Sequence, residues 1–314
     1  MRRYFATRLL STIPTLLGVI TLVFIVMRLV PGTIVDQILA NGDSSEEVQA
    51  SLRAFFGLDR PVYLQYLDYL GHLATGDLGV SWRARFPATD MILYALPVTL
   101  QLALMSAIVS MVLGISSGII SAVKENTPLD HVIRVVSLFS LSMPVFWQAT
   151  MLILILSTTV RWAPLGYVDP FTDIWGNLSL MALPALCLGT SASASVMRMT
   201  RSCLLDVLRQ DYIRTAEAKG LRQRVVVLRH ALKNASIPVV TVVGLSAGYL
   251  LGGAVIVEQV FAYPGLGRLV YQSITNRDVA VVQAFVVLIS LVVLLINLTV
   301  DLLYTILDPR VRYE

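Results

Sequence analysis

The sequence predicts an all-α integral membrane protein with six spans and both termini in the cytoplasm. Three observations predict it. Of the 314 residues, 56% are hydrophobic and 14% charged, where soluble domains are near a quarter charged, and mean hydropathy is +0.74. Six apolar runs are each long enough to cross the hydrocarbon core of a bilayer. With the N-terminus inside, 16 of the 24 Lys and Arg residues fall on the cytoplasmic side and seven on the other, Arg28 being left unassigned, which is the bias that orients membrane proteins. The net charge of +4 therefore reads as orientation and partner contact. It calls for no nucleic acid, because the basic residues sit in loops between spans rather than on a soluble face.

Arg2, Arg3 and Arg8 precede the first run, Leu9 to Met27. It is longer than the apolar core of a secretory signal and has no small-residue cleavage site, so it reads as an uncleaved span. Arg28 follows, close enough to the end to reach the interface, and Pro31-Gly32 breaks the helix. Residues 32 to about 90 form a hydrophilic outer connection. Within it Ser44 and Glu47 make a capping-box pattern, and Pro61 suits the first turn of a second helix, PVYLQYLDYLGHL. That helix is aromatic and amphipathic, which suits a position along the membrane surface; a docking surface for an outer partner is the alternative. Five further runs follow, Met91 to Val123, Val135 to Val160, Ile174 to Met197, Ala235 to Val257 and Val279 to Val300, the last continuing toward Leu307.

Between the fourth and fifth spans lies DYIRTAEAKGLRQRVVVLRHALKNASIP, Asp211 to Pro238. Its six cations would be costly at the centre of a bilayer, so it lies in water. Leu204, Leu205, Val207, Leu208, Tyr212, Ile213 and Ala216 recur at helical spacing. Lys219-Gly220 is a helix stop, since lysine favours the C-terminal dipole and glycine accepts the left-handed turn. A second basic helix, about Arg222 to Lys233, leads to Pro238, where the fifth span is expected to begin. Helix, glycine turn, helix and proline make a rigid elbow fixed to a span, a handle for a separate cytoplasmic protein.

TAEAKG, HALKNASIPVVT, LLGGAVIVEQVFAYPGLGRLVYQSITNRD and NLTVDLLYTILDPRVRY together resemble the permease subunits of the dipeptide, oligopeptide and nickel branch of ABC importers. IPTLLGVITLVFIVMRLVPG, FGLDRPVYLQYLDYLGHLATGDLGVSW and SMPVFWQATMLILIL extend the resemblance over nearly the whole chain. It implies the type I ABC importer permease fold, with an N-terminal segment 1–94, a transmembrane domain 95–308 that carries a coupling loop at about 199–236, and a tail 309–314. In that family the elbow has a Glu-Ala-Ala, three residues, Gly pattern. Aligned on Gly220, it places Arg214, Thr215 and Ala216 at the Glu-Ala-Ala positions, Leu221 and Arg222 just beyond the turn, and Pro238 at the family's proline. The chain departs from the pattern in having arginine for glutamate and a longer gap to the proline. The resemblance implies that the elbow seats in a cleft of an ATP-binding subunit.

It further implies a homologous second permease, two cytoplasmic ATPases and an extracytoplasmic solute-binding protein, in a bacterial or archaeal cytoplasmic membrane. The chain itself is expected to be no enzyme and to bind no cofactor, ATP and Mg being used by the ATPases. Its lysines, Lys124, Lys219 and Lys233, follow Val, Ala and Leu, so none stands in the Gly-Lys-Ser/Thr of a P-loop. His72, His131 and His230 are far apart and read as loop residues, so a metal site is not expected. Cys187 and Cys203 suggest no disulfide framework and are read as structural. The implied cargo is a di- or oligopeptide; nickel chelate, glutathione and other small solutes are alternatives on the same scaffold.

Gly114-Ile-Ser-Ser-Gly118 matches a nucleophile-elbow pattern, but it sits in an apolar span without a preceding strand, so close helix packing is expected instead. Gly244, Gly248 and Gly252 fall on one face of the fifth span and predict contact with another helix, within the chain or across a subunit interface. Phe261 to Gly267 makes an outer turn around Tyr263, Pro264, Gly265 and Gly267, which the resemblance places near the site of cargo release. Glu258 is expected at the membrane interface, with lining the mouth near the release site as the alternative. An ion-coupled carrier would show intramembrane charges and matching halves, and an intramembrane hydrolase a positioned nucleophile and base; Asp301 alone interrupts the last helix.

Overall fold

The computed structural model describes residues 2–29, 35, 46–55 and 58–307. Ser44 of the expected capping box and the basic tail beyond residue 307 lie outside them. The described residues are helical apart from loops and one isolated bridge, Val80 to Pro87. The helices are α1 (Arg2–Leu29), α2 (Glu46–Phe55), α3 (Val62–Ala74), α4 (Ala88–Val123), α5 (Pro128–Ser142), α6 (Val145–Thr159), α7 (Ile174–Leu208), α8 (Asp211–Ala218), α9 (Gln223–Val225), α10 (Leu232–Val260), α11 (Leu266–Thr275) and α12 (Val279–Leu307). A π-helical segment, Val226–Ala231, joins α9 to α10 without a break. The three histidines therefore lie on helical segments, not in loops.

Among the described residues five helices are long and apolar enough to cross a membrane, within α1, α4, α7, α10 and α12. The run expected as a single third span is not one helix: α5 and α6 meet at 100°. Pro144 is the cause. The residue before a proline is driven out of the α region, and Met143 is extended at φ −80°, ψ 125°, so the helix ends there and restarts after the proline. A hydropathy reading runs straight through this break because Met and Pro interrupt no apolar run. Pro14, Pro97, Pro184 and Pro238 sit inside their helices; neighbouring helices and small local adjustments satisfy the freed carbonyls in membrane spans.

The chain divides into two compact units, residues 1–97 with 269–294, and 98–268 with 295–314. In the first, α3 rests on α1. The Tyr66 hydroxyl lies 2.6 Å from Thr21 Oγ1, and the Phe24 ring meets Tyr66 edge-on at 5.2 Å and Tyr69 stacked at 5.8 Å. Arg28 lies over Phe24 and donates to Gln65, so it is held at the end of its span. In the same unit the 76–87 loop is pinned near the start of α12, with Ser81 donating to Asp278 and Arg83 to Asn276.

The second unit is built on α7. α10 packs along it, and α5 and α6 pack against it. Val98 and Leu102 of α4, Ala149 of α6, Met181, Ala185 and Leu188 of α7, and Leu250, Ala254 and Val257 of α10 form one apolar core. Small residues let α4 approach α7. A Cβ on Gly114 would stand 2.6 Å from that of Val196, on Gly118 2.6 Å from that of Thr200, and on Gly189 2.7 Å from Val109. The Gly114 to Gly118 pattern is thus a packing seam, as its place in an apolar helix requires.

Candidate functional site

The elbow begins where α7 outruns its apolar stretch. The helix continues through Arg198 and Arg201 to Leu208, and α8 follows after a turn at Arg209-Gln210, so the amphipathic stretch read as one helix is two. Buried Leu204, Ile213, Ala216, Val226, Val227, Ala231 and Ala235 form a small core of the elbow's own, closed by Ala122 from the end of α4. Gly220 makes the turn at φ +79°, a conformation that a Cβ disfavours. Asn234 donates to the Tyr212 hydroxyl at 2.8 Å and ties α8 to α10. Pro238 does not stop a helix: it lies within α10, exposed, while α9, the π-helical segment and α10 run on as one rod.

Of the expected coupling residues, Arg214, Thr215, Gly220, Leu221 and Arg222 are exposed on the elbow. Ala216 is buried beside Ile213 and serves its core. Arg214 faces Asp211 at 3.7 Å, with both side chains largely in solvent, a pair worth little. Arg224 and Gln223 border a groove of about 420 Å³ whose walls are Ile119, Ile120 and Val123 of α4 with Val227 and Leu228. The elbow is therefore a preformed, solvent-facing knob of mixed cationic and apolar character. Such a surface suits an acidic cleft with an apolar floor.

The turn after α10 is more deeply built than its sequence suggests. Phe261, Tyr263 and Leu266 are fully buried, and Ala262 takes φ +59°. Glu258, expected at the interface, is instead wholly buried. Its carboxylate accepts from Thr99 Oγ1 at 2.6 Å and from the Arg268 amide at 3.1 Å, at the start of α11. Thr99 accepts in turn from the Leu266 amide at 2.8 Å. Burial carries a carboxylate only where donors meet it, and here they are a hydroxyl and helix N-terminal amides. Gly265 and Gly267 leave the room: a Cβ on either would collide with Glu258 or with the Val255 backbone. The Tyr263 ring packs edge-on against Tyr167 at 6.0 Å, and burial, with Tyr167 beside it, pushes its phenol above the ordinary value.

The glycine face of α10 is divided. Gly244 is filled by Val300 of α12, whereas nothing stands within 4 Å of a Cβ on Gly248 or Gly252. Leu245, Tyr249 and Ile256 are exposed at the same helical spacing. Gly253, one residue off that face, is the position that meets α7, through Leu188. Reading by period found the face but not which glycines the chain itself covers. Nor did it find Glu258 as the anchor of the turn after α10; its signal was a lone acid six residues before the Pro-Gly-Leu-Gly turn it serves.

The fold resembles that of a solved structure described as inward-facing conformations of the MetNI methionine ABC transporter, with a TM-score of 0.59 over 69% of this chain and 96% of that one at 19% identity. At sequence level the chain is 40% identical to the dipeptide transport system permease protein DppB of Alkalihalophilus pseudofirmus and 38% identical to the oligopeptide transport system permease protein AppB of Bacillus subtilis. It is 41% identical to the glutathione transport system permease protein GsiC of Salmonella choleraesuis. All three matches cover the whole of both chains. Residues 114–313 match the family model of the binding-protein-dependent transport system inner membrane component, and the protein, a multi-pass protein of the cytoplasmic membrane, belongs to that family.

Proposed function

We propose that the chain is one membrane half of an ATP-driven importer of di- or oligopeptides. The observation that carries this reading is end-to-end identity near 40% with relatives named for dipeptide and oligopeptide transport. A second permease completes the translocation path, two ATPases grip the elbows, and a binding protein delivers cargo at the outer face. ATP and Mg act in the ATPases and none is bound here. The exposed elbow residues Arg214, Thr215, Gly220, Leu221 and Arg222 form the seat, supported by their place on a knob with its own core. Closure of the ATPases moves the two elbows and switches access by rigid-body motion. The open face of α10 around Gly248 and Gly252 meets the second permease, which is the contact those uncovered glycines allow.

Both termini lie in the cytoplasm in this scheme, as the Lys and Arg bias favours, and the bent α5–α6 pair makes the sixth crossing. The relative named for glutathione transport, at 41% identity, favours one variant of the reading. Glutathione is itself a tripeptide, and cargo choice then rests largely with the binding protein. The test is uptake into proteoliposomes containing this chain, its second permease and both ATPases, with the binding protein supplied on the outer side. ATP-dependent accumulation of labelled tri-alanine, competed by unlabelled dipeptides, is the expected result. Accumulation of peptide by this chain reconstituted without an ATPase would contradict it.

A further inference from the structure

Asp130 stands at the start of α5, on the connection from α4, and its side chain is fully buried. Its carboxylate is gripped from several directions. From α7, Arg201 donates twice, Nε to Oδ1 at 3.0 Å and Nη2 to Oδ2 at 2.8 Å, the two-pronged geometry that makes guanidinium and carboxylate the most directional of ion pairs. From α4, the Ser121 hydroxyl donates to Oδ1. From the connecting turn, the Asn126 amide donates to Oδ2 at 3.1 Å, with Asn126 itself left-handed at φ +60°. Arg134, one turn along α5, lies 3.5 Å from Oδ1. A second tie spans the same elements at the surface, where Arg209, the residue capping α7, donates to Glu125 at 3.2 Å.

These contacts have a common geometry. Arg201 lies two turns before the end of α7, and the elbow helix α8 begins three residues after that end. Between Arg201 and Arg209 sits Leu204, buried in the elbow's core against Ala122 of α4. The end of α4, the first turn of α5 and the last two turns of α7 are thus locked by a buried ion pair, an apolar contact and a surface ion pair. Apolar contacts slide at little cost. A buried carboxylate with a bidentate guanidinium does not, because parting them leaves an uncompensated buried charge.

We propose that Asp130 is a positioning residue for transport: through Arg201 it makes α5, and with it the bent α5–α6 pair, move as one body with the elbow. The proposal rests on the reading of the elbow as the ATPase seat. Without the clasp, a displacement applied at α8 would move α7 and leave α5 behind. The access switch would then lose its link to the element that departs most from a simple span.

The test uses the full assembly of this chain with its second permease and ATPases, with spin labels on unnatural amino acids at exposed Val132 of α5 and Glu217 of α8. In the otherwise unaltered protein the label distance is expected to change by less than about 2 Å between nucleotide-free and ATP-bound states, the scale of a single-helix shift. Asp130→Asn is expected to make that distance nucleotide-dependent while the ATPases still co-purify and hydrolyse ATP. A merely structural role would lower stability without making the distance respond to nucleotide. If Asp130→Asn does not accumulate, Arg201→Lys, which keeps the charge and gives up the fork, is read the same way. A nucleotide-dependent distance in the unaltered protein, or an unresponsive one in the variant, overturns the proposal. Failure of ATPases to associate with the unaltered chain would sink the elbow reading instead, and this proposal with it.

Discussion

At Gly265 a single hydrogen does the work of a side chain, because the space beyond it is filled by the Glu258 carboxylate. Gly265→Ala is therefore expected to destabilise the detergent-solubilised chain by about 1–3 kcal/mol, the cost of forcing a methyl into a packed site, read as a lower Tm. Gly248→Ala, with open space around it, is expected to leave that Tm unchanged and to weaken association with the second permease. Equal losses at the two positions would contradict the distinction. Gly220 differs from both: its Cβ would meet nothing, but φ is +79°. Gly220→Val is expected to cost about 1–2 kcal/mol of local strain, and the measurement that exposes it is ATPase co-purification. Gly220 was legible from Lys-Gly after a helical period. Gly265 was legible only as a turn residue, since nothing in the order of residues tells which carboxylate folds back onto it.

Elements were read well where one physical signal dominates and poorly where two compete. α4, α7 and α12 announced themselves by length and apolarity, and each is a single helix. The α5–α6 break was hidden because hydropathy is blind to the backbone restriction that Pro144 imposes on Met143. At Pro238 the fifth apolar span does begin as read, but the helix does not start there: it runs through the proline as a continuous rod. A π-helical segment precedes it, and such segments are invisible to a 3.6-residue period. The α4–α7 seam depends on the glycines at 114 and 118. Gly118→Leu is expected to push α4 from Thr200, lower the Tm of the solubilised chain and slow its accumulation in the membrane. A variant as stable as the parent would show that the two helices are held by the surrounding core alone.

At the scale of the whole molecule, sequence reading recovered the fold class, the family and the existence of an elbow, because each is spread over many residues. The buried clasps at Asp130 and Glu258 escaped it, because each joins residues 71 and 159 positions apart, Asp130 with Arg201 and Thr99 with Glu258. Topology is tested by single cysteines added at Asp211 and Arg277 and probed with a membrane-impermeant thiol reagent. Labelling at Arg277 from outside and at Asp211 only after permeabilisation is the expected pattern, and the reverse would invert the scheme. The most direct test of the central claim is co-purification of ATPase subunits with the solubilised chain, unaltered against a variant carrying Gly220→Val with Arg222→Glu and Arg224→Glu. Retention with the unaltered chain and loss from a variant of matching Tm is the predicted result. ATPases bound equally by both, or by neither, would contradict the elbow as their seat.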